Sequence, residues 1–175
     1  MQASTVRSFR PGFRLSITGL ITLISVFITF QPVWATTGSQ LSCLAAPGNL
    51  TSEESAMLQM VNSARKQAGL EKLQFDPDLA RLARAKSRDM VANNYFGHRS
   101  PHLGTIYDQL QQTGIVYRIV AENLAGAPGY RRAQLSIMKS PAHRSNVLNP
   151  SFTRIGIGIV QGGPYGKMVT QIFTD

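Results

Sequence analysis

Cysteine is all but missing from this chain. Cys43 stands alone, so no intramolecular disulfide can form and the fold must be stabilised by its core. Lipid attachment at Cys43 is not expected either, because Gln40-Leu41-Ser42 precedes it and the nearest apolar run ends well upstream. An unpaired thiol in a leader segment is the reading that remains. Acidic residues are scarce too, 9 against 18 Lys and Arg. The basic residues are nonetheless scattered, with no block of like charges and no interleaved aromatic series, so specific nucleic-acid binding is not expected. Downstream of residue 35 no segment is apolar enough to span a membrane, and no internal repeat is found.

What hydrophobic length there is lies at the start. Arg7, Arg10 and Arg14 make a basic region, Leu15 to Phe30 is mostly apolar, and Pro32 ends any helix. Val33-Trp34-Ala35 then offers small residues at the −3 and −1 positions of a cleavage site, which completes a secretory signal layout. The apolar run is short of the roughly 20 residues that a spanning helix needs. Residues 1–35 are therefore expected to be a signal peptide, with a retained N-terminal anchor as the alternative. Cleavage after Ala35 leaves 140 of the 175 residues, enough for one domain. It also leaves 15 basic against 9 acidic side chains, a net charge of +6 that favours anionic surroundings.

Residues 36–50 hold Gly38, Ser39, Pro47, Gly48 and Asn49 without a sustained period, and read as a linker. The domain is expected over 51–175. Thr51 with Glu54 forms a capping box, and Met57, Met60, Val61, Ala64 and Ala68 give one helical face that Gly69 closes. Asp76-Pro77 opens a second helix with Leu79, Leu82, Ala83 and Met90 on its buried stripe. A loop carrying Gly97, His98, Pro101 and Gly104 follows. Then come a short helix over 105–112 closed by Gly114, a short strand over 116–120, and a helix over 130–138 ended by Ser140-Pro141. Ile155, Ile157 and Ile159 alternate with glycines, and after Gly162-Gly163-Pro164 the alternation resumes over 167–173. That pattern predicts a hairpin whose isoleucines face one layer of helices. The fold class is α+β, with helices covering an antiparallel sheet.

Candidate chemistry concentrates on two of the three histidines, each read as lying in a loop. His98 sits in Phe96-Gly97-His98-Arg99-Ser100-Pro101, and His143 in Ser140-Pro141-Ala142-His143-Arg144. Glu122, in Ala121-Glu122-Asn123, is the one acidic residue between Gln109 and Thr174. Two imidazoles and a carboxylate can hold zinc with water in the open position. The same trio can equally be a hydrogen-bonded cluster in which Glu122 orients an imidazole. Ser100 and Ser145 lack an acidic orienter close in sequence and are not assigned as nucleophiles. Arg99 and Arg144 either pair with Asp89, Asp108 or the C-terminal carboxylate, or recognise an anion at the cleft rim. His102 is expected to face solvent.

These segments resemble bacterial members of the CAP superfamily, which includes the cysteine-rich secretory and pathogenesis-related proteins. The likeness runs through Asn62, Arg65, Ala68-Gly69-Leu70, Asp76, Ser87, Asp89-Met90, Tyr95 to Pro101, Ala121-Glu122-Asn123, Ser140 to Arg144 and Ile155-Gly156-Ile157-Gly158. It implies a three-layer α-β-α sandwich with a large cleft. It also implies that His98, Glu122 and His143 are three of four cleft groups able to hold a divalent metal. The fourth, a glutamate, is replaced by Ser140, and Ile137 stands where tryptophan is usual.

The functional expectation is a secreted or envelope-associated monomer without catalytic residues or a required cofactor. Its cleft would hold a small ligand, a lipid, an anionic wall polymer or a divalent cation such as zinc. The alternative is a metal-dependent extracellular hydrolase acting on peptides or cell-wall polymers. If the leader is cleaved, secreted protein begins at Thr36. Intact mass of material from the medium tests this, and a full-length mass would indicate the retained anchor.

Overall fold

The computed structural model describes residues 48–175. The expected signal peptide, Cys43 and most of the expected linker lie outside them. In chain order the elements are helix α1 (Ser52–Gln67), strand β1 (Gln74–Phe75), α2 (Pro77–Ala92), α3 (Ile106–Thr113), β2 (Val120–Ala127), α4 (Tyr130–Lys139), α5 (Pro141–Val147), β3 (Arg154–Gln161) and β4 (Lys167–Thr174). The strands form one sheet in the order β1-β3-β4-β2. β3, β4 and β2 are antiparallel neighbours, and β1 adds a two-residue parallel pairing to β3.

Local signals explain the helix ends. The Thr51–Glu54 capping box forms in full, and so does a second one between Thr105 and Asp108. Asp76 accepts from the amides of Asp78 and Leu79 ahead of Pro77. Three expectations need correction. Residues 116–119 are not a strand, because the amides of Arg118 and Ile119 donate to the Asp175 carboxylate rather than to a neighbouring strand. Ser140-Pro141 ends α4 and at once starts α5, with Ser140 as its N-cap and proline at the first helical position. His143 therefore sits in the first turn of a helix, not in a loop. The sheet is mixed rather than purely antiparallel, through the short β1.

The sheet divides two layers of helices. Ile155 and Ile157 point to one face, where Met57 and Val61 of α1, Ala133 and Ile137 of α4 and Val147 of α5 cover them. The other face carries Leu79, Leu82 and Ala83 of α2, Ile106 and Leu110 of α3, and Ile172. The α-β-α sandwich is thus present, with the isoleucines on the face the alternation assigned.

Two polar devices lock α1 to this frame. Asn62 donates to the carbonyl of Leu73 at 3.1 Å and accepts from its amide at 2.8 Å, doing for that backbone what a strand neighbour would. Arg65, fully buried, donates to the carbonyls of Glu71, Val147, Asn149 and Phe152 at 2.8–3.2 Å. One guanidinium thereby satisfies loop carbonyls that would otherwise be stranded.

On the opposite face α2 lies against the backbone of β3. A Cβ at Gly156 would overlap the Leu79–Ala80 backbone, and one at Gly158 the Ala83–Arg84 backbone. The Ser87 hydroxyl bonds the Gly158 carbonyl at 3.0 Å, with Thr170 Oγ1 2.9 Å away. Gly158→Ala should therefore force helix and strand apart and cost about 3 kcal/mol, the upper end of overpacking penalties. Chemical denaturation measures this. Gly97→Ala, whose added methyl meets nothing within 4 Å, is the control.

Candidate functional site

The loop leaving α2 carries His98 to the edge strand β2. There His98 Nδ1 and Glu122 Oε1 lie 2.7 Å apart. The Glu122 side chain is 3% exposed and that of His98 62%, so a buried carboxylate tethers an imidazole that faces solvent. Glu122 Oε2 is buried and has no hydrogen-bond partner. Burial pushes the Glu122 carboxyl above the ordinary carboxylate range, opposed by the His98 hydrogen bond and the Lys86 charge.

Lys86 lies under this loop, fully buried on α2. Its ammonium donates to the Tyr95 hydroxyl at 3.1 Å and to the His98 carbonyl at 3.0 Å, and sits over the Tyr95 ring. Burial lowers its pKa, while the charges of Glu122 and Asp89 work the other way. Tyr95 in turn donates to Asp89. Ser100 Oγ donates to the same carboxylate at 2.5 Å and accepts from the amides of His102 and Leu103. Burial would raise Asp89, but the bonds from Ser100 and Tyr95 outweigh it and hold its carboxyl low. Burial and the Asp89 bond together push Tyr95 up to about 12. Ser100 is thus a buried loop-closing residue whose hydroxyl is engaged on both sides. Lys86 was not singled out from the sequence, although it continues the Leu79, Ala83, Met90 stripe, where a charge needs buried partners.

His143 approaches from the other side. The Asn123 amide group donates to the His143 carbonyl at 3.0 Å, and Asn146 donates to Asn123 Oδ1 at 2.9 Å, fastening α5 to β2. Gln171 extends this buried amide chain to Gln134 of α4. His143 lines a 320 Å³ cavity with Leu124, Gly126, Ile137 and the half-exposed rings of Phe96 and Tyr165. Ile137 and Ser140, the departures from the family pattern, both line that cavity. A larger hollow runs along α1 beside Lys66 and Lys72 and does not include the three candidate residues.

Glu122 thus contacts His98 directly and His143 flanks the same strand. Among the described residues, however, no group of three His, Cys, Asp or Glu side chains stands in a metal-holding arrangement. Glu122 Oε1 is engaged by His98 Nδ1, so the donors as placed do not fit a tightly held ion. Arg99 and Arg144 are exposed and, among the described residues, form no close ion pair with Asp89, Asp108 or Asp175, although the charge of Arg99 helps to hold the Asp108 carboxyl low after the bonds from Thr105. His102 is exposed, as expected.

An α-β-α sandwich whose edge strand β2 holds the Glu122–His98 pair and borders a cavity lined by His143 defines the class. The profile of the cysteine-rich secretory protein family, CAP, matches residues 58–173, and the chain belongs to that family. It is 40% identical over 120 residues to the uncharacterized protein YkwD of Bacillus subtilis, a match covering 68% of this chain and 47% of that protein. The crystal structure of an extracellular SCP-domain protein from Bacillus anthracis is 34% identical with a TM-score of 0.61, covering 73% of this chain and 44% of that one. An outer surface protein from Borrelia burgdorferi, 16% identical, has a TM-score of 0.66 over 73% of this chain and 95% of its own, a likeness of fold alone. The chain spans about half the length of the Bacillus subtilis and Bacillus anthracis relatives named above.

Burial, then the nearby charge of His98, lowers the pKa of His143 from 6.5. The unfolded chain therefore takes up this proton at a higher pH than the folded one does. Its contribution to stability is full above about 6.5 and is lost as pH falls through the lower folded value. Stability measured from about pH 7.5 down to 5.5 should fall less steeply in His143→Gln than in the wild type. Equal slopes would show that His143 is not held neutral by its surroundings.

Proposed function

We propose that this chain is a secreted CAP-type binding module whose ligand occupies the cleft between the His98 loop and α5, without catalysis of its own. The observation that carries the reading is the buried Glu122 carboxylate holding an exposed imidazole at 2.7 Å beside a cavity. A buried carboxylate is costly unless its bonds are made. Here one oxygen is bonded to His98 and the other is buried without a partner, so the carboxylate acts by fixing the exposed imidazole that meets the ligand. The hydroxyls next to the histidines are already engaged: Ser100 with Asp89, and Ser145 with the Ala142 carbonyl at 2.7 Å. That supports binding over nucleophilic catalysis. The leader layout and the extracellular relative from Bacillus anthracis support export. No helix among the described residues is long and apolar enough to cross a membrane.

Two measurements on Glu122→Gln test the reading, and a zinc arm tests the metal-dependent alternative. Retention on isolated cell envelopes should fall about tenfold, the value of one charge-assisted hydrogen bond. The variant should also lose about 1.5–3 kcal/mol of stability, because Lys86 and His98 lose a charged partner. Zinc should leave both melting temperatures unchanged. A concentration-dependent rise in the wild type, absent from the variant, would establish the cleft as a metal site instead. If Glu122→Gln changes neither retention nor stability, the site has been misplaced.

A further inference from the structure

We propose that the ligand is an anionic polysaccharide, one sugar ring of which stacks on the Phe96–Tyr165 pair while its acid groups meet Arg99 and Arg144. This rests on the binding-module reading and names the ligand class of that cleft.

The aromatic pair is assembled from distant parts of the chain. Phe96 comes from the loop after α2 and Tyr165 from the β3–β4 turn, and their rings meet edge to face with centroids 5.7 Å apart at 71°. They are 46% and 48% exposed, so ring surface is left open at the mouth of the 320 Å³ cavity. Tyr165 is seated rather than loose: it lies on Gly126 of β2, where a Cβ would overlap the ring. Glycine at that position makes the seat.

The rest of the lining fits the same chemistry. Ser136, Ser140 and His143 bring hydrogen-bonding groups to one wall, and Leu124 and Ala125 give a small apolar floor. A sugar ring has an apolar C–H face for the aromatics and a rim of hydroxyls for the polar wall. The volume is at the small end of the roughly 300–1,000 Å³ of ligand pockets, so a short stretch of polymer would enter. Charge selects the kind of sugar. Arg99 follows His98 and Arg144 follows His143; both are exposed outside the cavity lining and neither forms a close ion pair among the described residues, the charge of Arg99 acting on Asp108 from longer range. Guanidinium groups with free donors favour carboxylate- or phosphate-bearing chains over neutral ones.

Affinity electrophoresis through gels containing polygalacturonate, neutral dextran or poly-glutamate tests this. Polygalacturonate supplies ring and charge, dextran the ring alone, and poly-glutamate the charge alone. The wild type should bind polygalacturonate about tenfold more tightly than either of the others. Tyr165→Ala should lose that margin, and so should Gly126→Ala, which keeps the tyrosine but unseats it. Both should remain folded by circular dichroism. Equal retardation by poly-glutamate, no retardation by polygalacturonate, or an unchanged Tyr165→Ala each overturns the proposal. The two readings separate: loss of envelope retention in Glu122→Gln with polygalacturonate binding unaffected by Tyr165→Ala sinks only this inference. The reverse pattern sinks only the Glu122-centred cleft.

Discussion

The depth at which α2 can settle on the sheet governs this structure. Gly156 and Gly158 present bare backbone to it, so helix and strand touch where any larger residue would hold them apart. Ser87 fixes the height by bonding the Gly158 carbonyl from within that contact. One position earlier, Lys86 is carried to full burial with its ammonium beneath the outgoing loop. Were α2 to ride higher, Lys86 would lose the His98 carbonyl and His98 would lose its register with Glu122. The site is therefore set by a backbone contact that contains none of its own residues.

That dependence explains an unusual buried cation. Lys86 donates to Tyr95, Tyr95 donates to Asp89, and Asp89 also accepts from Ser100, which collects two loop amides. Each member satisfies the next, so removing one leaves buried Lys86 or Ser100 short of a partner. The result is a loop tied to α2 by charge-assisted bonds rather than by apolar packing, which a segment of this polarity could not supply. His98 then has two anchors of different origin: its backbone belongs to α2 and its side chain to β2.

Much of this frame is legible in the sequence because its causes are local. Capping boxes, the Asp76-Pro77 start and the Gly–Ile alternation act within a few residues, and the resemblance brings His98 and Glu122 to one cleft. What stays hidden is non-local. β1 exists only because Gln74 and Phe75 lie beside Arg154 and Ile155. The β-branched stretch near Val116 has an extended composition but gives its amides to Asp175, nearly sixty positions away. α5 is a different case. Its signal, a serine cap followed by proline, is in plain view and reads as an ending, although the same pair also begins a helix. Phe96 and Tyr165 share no local motif at all; only the fold of the hairpin turn back over Gly126 joins them.

The cleft also owes its place to β2 being an edge strand. Edge backbone is a liability because its free groups invite pairing with other chains, and proteins cover it with helices or irregular segments. Here α4 and α5 lie against one side of β2 while the His98 loop meets it from the other. The cavity is what remains between those covers. Its floor belongs to the sheet and is fixed by core packing, whereas its walls come from loops and helix ends that the core barely constrains. Ser140, where the family pattern has another residue, is a wall position, whereas Ile137 lines the cavity from within the core. The chemistry of the cleft can thus be rewritten at the rim while Gly156, Gly158 and the Lys86 network hold the frame unchanged, which is how one sandwich can serve ligands of different classes.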